Sequence, residues 1–85
     1  MKEARSVTDD WSYFYVLRGP RAGEYCRFKG TYEARIETAA NWGIPSGEFK
    51  AGVRFRDGDF VMIPLTNLRQ ATPMEIICEE RNGAF

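Results

Sequence analysis

Three places in this chain bring together residue types that could do chemistry. The first is Asp57-Gly58-Asp59, where two carboxylates sit two apart. It is too short for a calcium loop and lacks the further spaced acids and the closing Glu that such a loop needs. The second is the pair Cys26 and Cys78, far apart in the chain and matching no metal or redox spacing. They read as reduced, partly buried thiols, with a disulfide open only to a fold that brings their strands together. Cys26 stands beside Arg27, which could lower a thiol pKa, but a packed core thiol is the favoured reading. The third is a set of arginines interleaved with aromatic rings. Histidine is absent, which removes the usual general base and the commonest metal ligand, and makes Ser-His-Asp and Cys-His arrangements impossible. Gly19-Pro20-Arg21-Ala22-Gly23 has no Lys-Ser/Thr after it and so is no phosphate loop. No catalytic residue, metal site or cofactor is expected, and the chain reads as something other than an enzyme.

The chemistry left is recognition. The 12 basic and 12 acidic residues balance, so no global field recruits nucleic acid or a membrane. The balance is local, however. Arg18, Arg21, Arg27 and Lys29 face only Glu24 over residues 11–30, and Lys50, Arg54, Arg56 and Arg69 face Asp57 and Asp59 over residues 49–70. Arginine suits bidentate and stacking contacts, and aromatics with arginine are what interface centres use. Trp11, Tyr13, Phe14, Tyr15, Tyr25, Tyr32 and Trp42 exceed what so small a core can hold. The leading expectation is therefore a non-catalytic module that engages a protein partner through Trp11, Tyr13, Tyr15, Tyr32, Trp42, Phe55 and Phe60, of adaptor or inhibitor type. A second expectation is binding of RNA or single-stranded nucleic acid across Arg18, Arg21, Arg27, Lys29, Arg54 and Arg56, with Tyr25 or Tyr32 stacking on bases. A third is a homodimer joined through the first strand.

These side chains need strands to carry them. Phe49, Ala51, Val53 and Phe55 alternate with Lys50, Gly52, Arg54 and Arg56, the period of two of a half-buried strand. Asp57-Gly58 predicts a tight hairpin of type I′, and the return strand, Asp59 to Ile63, stops at Pro64, which cannot donate to a ladder. A tight polar turn carrying Leu65 and Leu68 follows. Trp11 to Arg18 predicts a strand with large apolar groups on both faces, hence covered on two sides by a bent barrel, by terminal segments or by a partner. Glu24 to Lys29 predicts a short strand with Cys26 and Phe28 on one face. Residues 1–10 predict a frayed terminus, 11–80 a single small β-barrel domain, and 81–85 a tail.

Two stretches are harder. Thr31 to Asn41 alternates as a strand, with Tyr32, Ala34 and Ile36 inward, which is the favoured reading. As a helix, Tyr32, Ile36 and Ala39/Ala40 share a face and Asn41 and Gly43 supply a stop, but Glu33 and Glu37 repel and Thr31 lacks a Glu three residues on. Met74 to Glu79 predicts a last strand, with Met74, Ile76 and Cys78 on one side. Trp42 and Ile44 stand out as large apolar residues in a loop. They either cap the core or form a contact tip. The fold class is thus mainly β, a small five- to six-stranded barrel, or α+β if 31–41 is helical. No signal peptide or membrane span is visible, so a cytoplasmic protein is expected, one whose size suits an adaptor, an inhibitor of a larger enzyme, or a small phage or mobile-element protein.

The barrel reading rests on two local patterns. Tyr32-Glu33-Ala34-Arg35-Ile36, then Val53-x-Phe55-x-Asp57-Gly58, then Val61 and Leu68-Arg69, resembles Tudor-type SH3-like barrels. Val16-x-x-Gly19-Pro20-x-x-Gly23 resembles a KOW motif, with Cys26 where that family has its final Gly. The Tudor resemblance implies an aromatic cage that reads methylated Lys or Arg by cation–π attraction. Tyr32, Phe55 and Phe60 are the residues that could line it. The KOW resemblance implies RNA or transcription-factor contacts.

Overall fold

Alternation of apolar and polar side chains builds a single five-stranded antiparallel sheet in this computed structural model, which describes residues 11–83 and 85. The expectation for residues 1–10 falls outside them. The strands are β1 (Trp11–Val16), β2 (Tyr25–Lys29), β3 (Lys50–Phe55), β4 (Phe60–Pro64) and β5 (Leu68–Gln70). Their order, β4-β3-β2-β1-β5, leaves β4 and β5 at the edges. The sheet curls into a half-barrel. Its concave side holds Phe14, Val16, Cys26, Phe28, Ala51, Val53, Phe55, Ile63, Leu65 and Leu68 in one buried cluster. Phe14 and Phe28 stack at 4.7 Å in its middle. β1 shows why the pattern works: Phe14 and Val16 are buried, while Trp11, Tyr13 and Tyr15 point outward and are half-covered.

The β3–β4 connection is one residue longer than a two-residue turn. Phe55 N–H donates to the Asp59 carbonyl at 2.9 Å and Gly58 N–H to the Phe55 carbonyl at 3.0 Å, so Arg56, Asp57 and Gly58 form a three-residue loop. Gly58 takes φ +96°, as the closing residue of such a loop requires. The Asp57 Oδ1 accepts the Asp59 N–H at 3.0 Å and fixes the bend.

Two segments expected as strands are helices. Thr31 to Asn41 folds as α1 (Tyr32–Asn41), capped by the Thr31 hydroxyl, which accepts the Ala34 N–H at 3.1 Å. The cap needs no reciprocal Glu, and Glu33 and Glu37 both point into water, where their repulsion is small. Tyr32 and Ile36 close over the core and Ala39 is buried. Gly43 (φ +70°) ends the helix: its N–H reaches the Ala40 carbonyl at 3.1 Å and Ile44 N–H reaches that of Ala39 at 2.9 Å, a Schellman stop. The 31–41 helix had stood as the alternative; the strand reading of that segment is corrected.

Met74 to Glu79 lies within α2 (Pro73–Arg81), not in a strand. Thr72 caps it, Pro73 takes the first turn, and Glu75 completes a capping box. That local chemistry outweighs the alternation of Met74, Ile76 and Cys78. The turn carrying Leu65 is a 3-10 turn, Leu65–Asn67, and Leu68 begins β5. Five strands occur among the described residues, the lower of the five to six expected.

Candidate functional site

Register decides which outward side chains meet. Across the convex face, Tyr13 lies opposite Arg27, Arg27 opposite Arg54, and Arg54 opposite Phe60. In the next rows Trp11 faces Lys29 and Gly52 faces Met62. One continuous band thus runs from aromatic, through cationic, to apolar.

The β1–β2 end of this band is already covered. Tyr13 stacks on Tyr25 at 5.8 Å, Tyr15 tilts against it at 5.3 Å, and Phe85 lies 5.8 Å from the same ring. α2 is tied down beside them. The Tyr15 hydroxyl donates to Glu79 at 2.8 Å, Arg56 pairs with Glu79, and Arg69 forks onto both oxygens of Glu75 while lying over the Tyr15 ring. Burial and the neighbouring Glu79 carboxylate push the Tyr15 phenol up to about 12. Tyr25 is also raised, chiefly by burial. So Tyr13 and Tyr15 are half-buried, and Phe85, itself exposed on its other side, lies against Tyr25 and Arg27. The double-faced strand has its outer cover in the C-terminal segment. Glu79, Arg56 and Tyr25 also line a cleft of about 240 Å³.

The expected cations separate into groups. Arg21 binds Glu24, Asp57 and Asp59 through contacts of 2.7 Å and rests 3.9 Å from the centre of the Phe55 ring. Those carboxylates raise its pKa further, while the Asp59 backbone N–H and Arg21 hold Asp57 below its usual value. Arg21 is a clamp between the β1–β2 loop and the β3–β4 hairpin, held there by Asp57 and Asp59. Arg56 is engaged by Glu79. Arg27 is sandwiched between Trp11 and Phe85, at 4.0 and 4.2 Å. Lys29 and Arg54 are exposed beside it, and Arg18, whose carbonyl accepts from Asn67, lines with Arg21 the space between the β1–β2 loop and β4. Among the described residues no cluster of potential metal ligands occurs.

The expected aromatics separate as well. Phe55, 1 % exposed, is core and offers nothing to a partner. Tyr32 faces inward, 5.8 Å from Phe14. Phe60 is on the opposite side of the sheet, so these three rings do not converge on a cage. Trp42, 76 % exposed, stands at the end of α1. Phe60 and Met62, 62 % and 55 % exposed, remain as neighbours on β4. Phe60 leans over Gly52, where an added Cβ would collide with the ring. Beside them a groove of about 430 Å³ runs between β4 and the β1–β2 loop, lined by Val16, Pro20, Val61, Ile63, Pro64 and Asn67 among others. Met62, Gly52 and this groove were not among the sequence-derived candidates. The signal was there: Phe60 and Met62 occupy alternate positions on the face where a half-buried strand carries polar groups.

Cys26 is buried, which pushes its thiol up to about 12, and Cys78 is exposed; both are free. β1 is paired with β2 along Trp11–Tyr15 and with β5 along Phe14–Val16. No described helix is long and apolar enough to cross a membrane. Fold and site together define a small β-rich half-barrel with two helices and an apolar strand edge next to a cationic sheet face. No protein-family model, curated protein or solved structure matches the chain.

Proposed function

We propose that this chain is a non-catalytic binding module that docks a protein partner on the exposed side of β4. The observation that carries the reading is the pair Phe60 and Met62, more than half exposed, beside a mostly apolar groove at a sheet edge. Large apolar side chains held open next to such a groove are what interface centres present. Arg54 lies 5.7 Å from the Phe60 ring and adds a cationic rim. The residues to test are therefore Phe60, Met62 and Arg54, with Trp42 as a separate tip. Capture from a lysate of the native source checks it. Phe60→Ser with Met62→Ser abolishes capture while the fold is retained, and Trp42→Ala does not. Equal capture by the double variant contradicts the reading.

Support for an SH3-like barrel is partial. Val53 and Phe55 fall on β3, Asp57-Gly58 in the hairpin loop and Val61 on β4, which supports that resemblance, while Leu68-Arg69, the closing turn in the pattern, begins β5. Tyr32, Ala34 and Ile36 fall on a helix, which departs from it.

One observation favours a second reading, nucleic-acid binding. Arg27 and Arg54 are directly opposed on neighbouring strands, an arrangement that like-charge repulsion disfavours unless an anion covers it. The group is Arg27, Lys29 and Arg54, with Arg21 and Arg56 removed by their ion pairs. Binding of a fluorescent single-stranded oligonucleotide that weakens steeply with salt supports this reading; absent or salt-indifferent binding rules it out.

A further inference from the structure

Resting on the protein-binding reading above, we propose that the partner enters as an extended segment that adds a strand to the free edge of β4, and that this segment alternates acidic with apolar side chains. Hydrogen-bond parity along β3–β4 points to the first half. The Phe55 N–H donates to Asp59 and the Leu65 N–H to Phe49, so the bonded pairs of this ladder fall on odd-numbered residues. Val61 and Ile63 spend their backbone groups on Val53 and Ala51. Phe60 and Met62 then direct N–H and C=O away from β3, toward the open edge of the sheet. Pro64 adds a carbonyl but no N–H and ends the template. An open edge of this kind is what an added strand pairs with.

The side chains of the incoming strand would alternate between two environments. One set enters the groove against Val16, Val61 and Ile63, and is apolar. The other set lies on the convex face beyond Phe60 and Met62. There the outward positions of β2 to β4 carry Arg27, Lys29, Lys50 and Arg54 and no acid. The Phe60 ring fills the space over Gly52, and Arg54 lies 5.7 Å from that ring, next in line behind the β4 edge. At the hairpin end, Glu24, Asp57 and Asp59 outnumber the single Arg21 they bind. The partner's acids therefore sit toward the Lys50 end of the edge. A second copy of this chain is disfavoured, because β4 against β4 sets Lys50 and Arg54 of both copies on one face without an acid between them.

The test uses a synthetic peptide alternating glutamate with valine, a counterpart with lysine for glutamate, and two N-methylated forms, one blocked at the glutamate amides and one at the valine amides. Amide exchange of Phe60 and Met62 is followed by NMR on the whole chain. The glutamate peptide slows exchange of both amides by roughly tenfold or more; the lysine peptide does not bind, and one N-methylated form binds while the other fails. Binding without protection of Phe60 and Met62, or binding by both N-methylated forms, overturns strand addition but leaves protein capture through β4 standing. Equal binding of the lysine peptide overturns the acidic specificity. No binding by any peptide overturns the proposal, while loss of lysate capture in the Phe60/Met62 double variant separately upholds the wider reading.

Discussion

Gly52 and Phe60 make the most informative residue pair. Glycine weakens a strand and commonly marks a close approach; here the approach is the Phe60 ring, lying where a Cβ would stand. Gly52→Ala must swing that exposed ring aside, and little else stands in the way of the added methyl except Met62 Sδ at 3.2 Å. The expected result is a stability change within about 1 kcal/mol, with partner affinity falling about tenfold, equivalent to ~1.4 kcal/mol. Thermal melts and a binding titration measure the two separately. Unchanged affinity would show that the ring's position is irrelevant to docking. At this scale the sequence was only partly legible. Phe55 alternates as a core residue and proves to be one, yet it was also a cage candidate. Tyr13 and Tyr15 gave no sign that α2 and Phe85 would cover them, because that cover comes from more than fifty positions away in the chain.

At the scale of elements, α2 is secured by its first turn. Thr72→Ala removes a hydroxyl cap and is expected to cost about 1 kcal/mol. Glu75 also answers to pH. Its carboxyl, held by Arg69 and by the Thr72 N–H, is lowered from an ordinary 4.5 to about 2. A carboxyl depressed on folding adds stability above its unfolded pKa and loses it as pH falls through the folded one. The Tm difference between wild type and Glu75→Gln is therefore largest above about 4.5 and shrinks toward zero near 2. A difference independent of pH contradicts the role given to Glu75. The strands and the Asp57-Gly58 reversal were readable because a period of two and a glycine turn are local signals. The strand readings of 31–41, where a helix is the alternative, and of 74–79 fail for one reason: short segments that alternate by chance look like strands. Their identity lay in capping residues, Thr31 with Gly43 and Thr72-Pro73-x-Glu75, which lie at the ends of those segments.

At the scale of the molecule, a single curled sheet has two sides with different duties. Its concave side is filled by one apolar cluster, and Phe14→Ala at its centre is expected to cost ~3–5 kcal/mol. That is a large share of the ~5–8 kcal/mol available to a domain this small. Its convex side is covered by α2 and Phe85 over β1 and β2, and left open over β3 and β4. The account depends on that open side being where a partner sits. The most direct measurement is an NMR shift map of the labelled chain titrated with the partner captured through it. The account predicts perturbations concentrated at Gly52, Arg54 and Phe60 to Pro64. Shifts gathered at Trp42 and Ile44, or along α2, with β4 unmoved would contradict it.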